Sequence, residues 1–400
     1  MPAPAFGQIA ENWALGGDIT VSATNEDTTV SVAPSEGILM DAPSIADGSR
    51  NSISVTAIGA SASVSNSSVS FQDVEMTDSV DGNITVSASN LNSTITVSGT
   101  IDGAVIEQGH DNTISVSAVG ASAQFSVTDD VLGGATVSRS LAVNGDISVH
   151  AENTGDVNLQ IAVGSNGDGV SINGGTRNAF SGTALGASAG ISVLTIVDDG
   201  TYSSDIGIGV DSAISVYAHN SGNVRIGSVD DPTEDTTLNG ATISGDSVDS
   251  SISLMAIGAS GSVNSTTVVY AGSAVPSVAF GASGSDGGSD EPSVTFGDVN
   301  FDVENTGIVE ANVSITGSSF EGKNSVSAGA IGVTLGNSVK FINYTGEAVS
   351  FHGTFGEVNY SVLNTAPIRV SGGMDHPVIP DGFGIVWSVN AIGAAASFSL

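Results

Sequence analysis

The chain has no cysteine and only seven lysines and arginines in 400 residues, and aromatic side chains make up 5% of it. Without cysteine there is no disulfide framework, no thiolate metal site and no cysteine nucleophile. Seven basic residues cannot form the cationic footprint that phosphate backbones or anionic lipid heads require, so nucleic-acid binding and attachment to a charged membrane surface are excluded as expectations. No run of eighteen apolar residues occurs, so no membrane-spanning helix is expected. The first seventeen residues lack the basic start and apolar stretch of a secretion signal. Met1-Pro2-Ala3-Pro4-Ala5 reads as a start placed before a mature terminus, which predicts an extracellular or cell-surface protein whose leader has been removed.

What is present is acid, glycine and small aliphatics. Forty-two Asp and Glu give a formal charge of −35, yet 40% of the residues are hydrophobic and the mean hydropathy is +0.23. That is too apolar for a disordered acidic chain. Ala, Val and Ile supply the hydrophobicity, which suits thin, layered cores better than one thick globular core.

Two motifs alternate along the sequence. The first, apolar-x-apolar-x-Ala-x-Asn in its clearest copies, ends at Asn25, Asn90, Asn153, Asn220, Asn305 and Asn364. The second, apolar-x-apolar-x-Ala-apolar-Gly, ends at Gly59, Gly120, Gly186, Gly258, Gly332 and Gly393. The chain is therefore six repeats of roughly 65 residues, or twelve half-units of roughly 33. Apolar residues alternate strictly within each motif, the period of a strand. After Ala57 the phase inverts, with Ile58, Ala60, Ala62 and Val64 expected as the new apolar set. That places a corner at Ala57-Ile58-Gly59, with glycine supplying positive φ or close backbone approach. Units this short cannot stabilise themselves and must stack. The expected fold is all-β, a parallel β-helix-like solenoid. With one rung per half-unit it has about twelve rungs and a length of roughly 58 Å. An array of small sandwiches is the alternative, disfavoured by the lack of buried aromatic anchors and hairpin turns. Residues 1–16 read as a lead-in and 17–400 as one repeat domain, with a loop insertion around 264–297.

Several patterns invite a chemical reading. Gly186-Ala187-Ser188-Ala189-Gly190 matches a nucleophile elbow, but the same place in other repeats also carries serine, which makes Ser188 part of the repeat. His110, His150, His219, His352 and His376 have no metal-ligand spacing. Paired acids at Asp129-Asp130 and Asp198-Asp199 are expected in loops. Asp230, Asp231, Glu234 and Asp235, with Asp286, Asp290 and Glu291, are the best candidates for Ca²⁺, the one cofactor considered. A polysaccharide-cleaving site would need carboxylates on rigid strands, assisted by Arg50, Arg139, Arg177, Arg225 or Arg369. No enzyme is expected. The six asparagines and six glycines are read instead as structural ladders, the amides bonding up a solenoid corner.

The stretches Ile53 to Ala62 and Ile114 to Ala123 resemble the repeats in the heads of trimeric autotransporter adhesins. The long Ala-Ile-Gly repeat with Ser/Thr/Asn-rich strands is similar to secreted alphaproteobacterial solenoids such as the holdfast anchor proteins. These resemblances imply a structural, adhesive surface protein that anchors polysaccharide or forms a fibre. A polysaccharide-active β-helix enzyme or tail-spike, and a calcium-dependent surface-layer component, are the alternatives. The last repeat runs to Leu400 without a capping segment, which predicts self-assembly through the terminal rungs, opposed by charge at low salt.

Overall fold

A computed structural model describes residues 9–399 apart from 33–43, 47, 100–104, 162–170, 210–211, 228–241, 245–246, 281, 284–294, 297, 313–314, 317–322, 346–351, 356, 372–373 and 376–385. Strands dominate, and no helix occurs among the described residues. The chain winds into a parallel β-solenoid, and each full repeat makes one rung.

Along a rung the chain passes through five sheets. Sheet I comprises Ile9–Leu15, Val74–Val80, Ala135–Val143, Gly200–Ile208, Ser273–Phe280 and His352–Phe355. Sheet II holds the first motif: Ile19–Glu26, Ile84–Leu91, Ile147–Asn153, Ile214–Asn220, Asp298–Asn305 and Glu357–Asn364. Sheet III follows each of these with a shorter strand, from Thr29–Val32 to Ile368–Ser371. Sheet IV has four three-residue strands, Ser44–Ala46, Val105–Glu107, Ser171–Asn173 and Thr242–Ser244. Sheet V carries the second motif on the long strands Ser52–Ser70, Thr113–Val131, Ala179–Val197, Ser251–Val269 and Ser325–Asn343, and on Val386–Ser399. Every pairing within these sheets is parallel.

The register corrects the rung count. Ala23 pairs with Ala88, and Ala57 with Ala118, so like motifs stack on like motifs one whole repeat apart. The two motifs lie on different sheets of the same rung. There are six rungs instead of twelve, and at about 4.8 Å per rung the stack is about 29 Å high instead of 58 Å. The first strand, Ile9–Leu15, pairs along its length with Val74–Val80, so the segment read as a lead-in contributes a strand of the first rung. Of the expected insertion, 264–280 lies almost wholly in regular strands of sheets V and I. The extra chain is 281–297, where Ala282–Ser283 and Thr295–Phe296 form a small antiparallel pair.

The phase inversion is real, but two residues later than the sequence suggested. In Thr113–Val131, Ala118 is buried, Val119 points outward, and Gly120 and Ala121 are buried in succession. Ile58 is likewise outward, 41% exposed. The ladder of paired residues skips the glycine, as a bulge does. This bend divides each long strand into two limbs that face separate cores, and the far end of the second limb meets a third, smaller cluster around Val131, Val197 and Tyr202. The first limb closes on sheets III and IV through Ile114, Val116, Ile95 and Ile106. The second limb closes on sheets I and II through Phe125, Val127, Leu141 and Val149. Between the two compartments the interior narrows to a waist lined by small side chains and asparagine, which fits the alanine found in all six copies of the second motif and in four of the first, Val303 and Val362 being the other two.

Candidate functional site

The waist brings together the two sets of residues that the sequence marked. In each rung the asparagine closes the turn from sheet II to sheet III. Its Nδ2 donates to a backbone carbonyl just ahead: Ser93 for Asn90, Gly155 for Asn153, Gly222 for Asn220, Gly307 for Asn305 and Ala366 for Asn364. The same Nδ2 donates to the Oδ1 of the asparagine in the next rung at 2.7 Å, in an unbroken run from Asn25 through Asn90, Asn153, Asn220 and Asn305 to Asn364. Asn90, Asn153 and Asn305 are fully buried, and every donor and acceptor they carry at the waist is used.

The glycine column lies directly against this ladder. A Cβ on Gly120 would fall on Asn153 Oδ1 and on the carbonyl oxygen of Gly186, both in the next rung, and Gly59, Gly186, Gly258 and Gly332 meet the corresponding atoms of the rungs that follow them. None of the six glycines has positive φ. Of the two reasons expected for them, close backbone approach holds and positive φ does not. The ladder likewise runs through the middle of the molecule, where a turn presses inward on the bend of sheet V, and not up an outer corner.

A second asparagine column went unread. Immediately before the second motif stand Asn51, Asn112, Asn178, Ser250 and Asn324. The backbone N–H of Asn51 donates to Asn112 Oδ1, that of Asn112 to Asn178 Oδ1, that of Asn178 to Ser250 Oγ, and that of Ser250 to Asn324 Oδ1. Asn two places before the first apolar residue was a usable signal, hidden because it lay outside the strand pattern. One residue earlier, Arg50, Asp111, Arg177 and Asp249 all adopt φ between 54° and 58°, a left-handed corner made without glycine. There Arg177 grips Asp111 with two hydrogen bonds of 2.6 and 2.9 Å. The Arg177 hydrogen bonds hold the Asp111 carboxyl down at about 2.

Among the described residues one charged cluster is buried. Arg139 points into the second compartment, where its Nη1 lies 3.2 Å from Asp129 Oδ1 and its Nη2 lies 3.5 Å from Asp78 Oδ2. Arg139 Nη2 also donates to Asn66 Oδ1 at 3.0 Å. Asp129 further accepts from Ser68 Oγ and from the Tyr202 hydroxyl at 2.6 and 2.7 Å. Burial first, and then the Asp129 charge, push the Tyr202 phenol above its ordinary range, so the hydroxyl stays a donor. Asp129-Asp130 thus lies within a long strand and not in a loop, and Asp129 faces inward although its residue type signals a solvated position.

The other arginines weighed for catalysis also sit in cross-rung stacks. Arg225 lies 3.8 Å from Glu310, which pairs in register with Arg369. Arg50 stacks beneath Asp111 at the left-handed corner. Ser188 is an outward residue in mid-strand, with no strand-to-helix turn around it. His150 and His219 stand at different repeat positions and are diagonal neighbours on sheet II, their ring centroids 6.3 Å apart with Tyr217 beside both. The proposed calcium ligands Asp230, Asp231, Glu234, Asp235, Asp286, Asp290 and Glu291 lie outside the described residues. Among the described residues no three His, Asp or Glu side chains are grouped to hold a metal ion.

Beyond the waist, an exposed aromatic pair marks the corner from sheet V to sheet I. Tyr270 and Tyr344 stack with centroids 5.3 Å apart and planes 4° from parallel, beside a shallow groove of about 580 Å³ floored by Gly200, Thr201, Gly272 and Ser273. Compared with protein-family models, curated proteins and solved structures, the chain matches none.

Proposed function

We propose that the protein is a structural component of a cell surface or extracellular matrix, a solenoid that serves adhesion or fibre formation and associates with copies of itself or with surface polysaccharide. The observation that carries this reading is the amide ladder. Six rungs are tied along one axis by five successive 2.7 Å hydrogen bonds, and the repeat places its interior polar groups on one another. A molecule built this way devotes its sequence to register and stiffness along the stack. The cross-rung arginine pairs support the same reading, since they occupy the basic side chains that a polysaccharide-cleaving site would draw on. An acidic chain without cysteine or disulfides keeps such a stack soluble and independent of redox state.

Antibody labelling of intact source cells, combined with negative-stain imaging of the purified chain, tests the proposal. Labelling of unpermeabilised cells and rods or assemblies of rods are the expected results. Labelling that appears only after permeabilisation, or release of reducing sugar from a polysaccharide by the purified chain, overturns it.

A further inference from the structure

The outward face of sheet V differs from what the composition leads one to expect. The molecule carries 42 acidic residues, yet on the five nineteen-residue strands the outward side chains include only two charged ones, Asp130 and Lys340. The acids stand at the rim instead, in the turns at Asp111, Asp198, Asp199 and Asp249. Within the face, rows of serine and threonine run parallel to the axis and bond to one another across rungs, as Thr56 does to Ser117 and Ser181 to Ser115.

Two aliphatic columns interrupt the hydroxyls. The first is the residue before each waist glycine, from Ile58 through Val119, Leu185, Ile257 and Ile331 to Ile392. Every one of the six is aliphatic although the position faces solvent. The second lies near the far edge, where Val69, Ile196, Val268 and Ile342, interrupted by Asp130 in the second rung, lead to the exposed Tyr270–Tyr344 stack. An outward position kept aliphatic through every rung has no role in the core, because the core lies on the other side of the sheet.

We infer that this face is a lateral docking surface for a second copy of the same chain. Charge argues for that occupant. Two molecules of formal charge −35 repel through any acidic surface, and contact through a neutral face leaves the carboxylates hydrated at its rim. Size agrees. Nineteen residues at about 3.3 Å across six rungs at about 4.8 Å give a face on the order of 1,800 Å², against about 800 Å² per partner in a standard stable interface, so about half of the face suffices. The aliphatic columns form an apolar seam and the hydroxyl rows flank it, the layout of an apolar interface core with a polar surround.

This inference rests on the structural reading above but is tested separately, by sedimentation velocity on the full chain over a concentration series at low and physiological ionic strength. The expected result is association that strengthens with salt, because screening relieves the repulsion. Val119→Lys with Ile257→Lys should give a monomer with an unchanged circular-dichroism spectrum. Ser138→Lys with Ser203→Lys, which adds the same charge on the outward side of sheet I, should associate like the parent. Should the first pair misfold, Ser122→Lys with Ser188→Lys places the charges beside the seam with no aliphatic residue lost. A chain that is monomeric under every condition overturns the inference, as does a face variant that associates as well as the sheet I control. Retention of a monomeric parent by neutral hydroxyethyl cellulose, lost in the face variant, overturns it in favour of a glycan occupant. Loss of surface labelling with association intact defeats only the surface assignment.

Discussion

At the scale of single residues the interior is decided by amides and by the absence of a methyl group. Asn153 donates to Gly155 and Asn220 and accepts from Asn90 with nothing from solvent to replace these bonds. Asn153→Ala is expected to cost about 3 kcal/mol, since one lost bond in such a place costs about 1–3 kcal/mol with its partner left buried. Gly120→Ala should cost about 1–3 kcal/mol by overpacking, although its backbone suits alanine. Urea denaturation measures both, and a near-neutral result for either removes the waist from the account. The Asp111–Arg177 pair makes a pH prediction. The folded carboxyl titrates at about 2, below its ordinary value of 3.8, so the stability it adds is complete above that ordinary value and disappears as pH falls through 2. In Arg177→Ala the Asp111 midpoint, followed by NMR, should rise towards 3.8, and the melting temperature should differ from the parent above pH 4 but not near pH 2. The identities of the ladder residues were legible because they recur. Their meeting was not, because nothing in a one-dimensional repeat says that a turn and a bend thirty residues apart touch.

At the scale of the element, the long strand of sheet V sets the shape. Alternation announced a strand and the inversion announced a bend. The extra buried residue was misassigned because Ile58 is apolar and was therefore taken as inward, although a surface role explains it better. Polar insertion into the second limb escaped notice for the opposite reason. Asp129, Arg139 and Asp78 look like ordinary acids and a surface arginine until the fold sets Asp78 diagonally beside Arg139 and brings Asp129 to it from sheet V. The equivalents of Arg139 in neighbouring strands are Met76 and Ser204, so the cluster makes the interface of the second and third rungs unlike any other. Arg139→Ala should cost about 3–5 kcal/mol because two carboxylates stay buried beside an empty space. Replacing Arg139, Asp129 and Asp78 together by Met, Leu and Leu should recover most of that loss. Equilibrium denaturation of the two variants checks this, and a triple variant no more stable than the single one would contradict it.

For the whole molecule, parallel strands, stacking and the absence of helix follow from the repeat, while the number of rungs does not. Two motifs of similar composition at half-repeat spacing suggest two similar rungs. They are in fact two walls of one rung, distinguishable only by what each faces across the waist. The resulting molecule is broad and short, with more lateral surface than axial length. The most direct test of this account is a distance. The chain has no cysteine, so Ser22→Cys with Ser361→Cys, at matching outward positions of sheet II in the first and sixth rungs, can carry two spin labels without background. Double electron–electron resonance should give a separation of about 24 Å, five rung spacings of about 4.8 Å, broadened only by the label arms. A distance near 48 Å, ten spacings, would show that each half-repeat forms its own rung and would contradict the shared waist on which the structure depends.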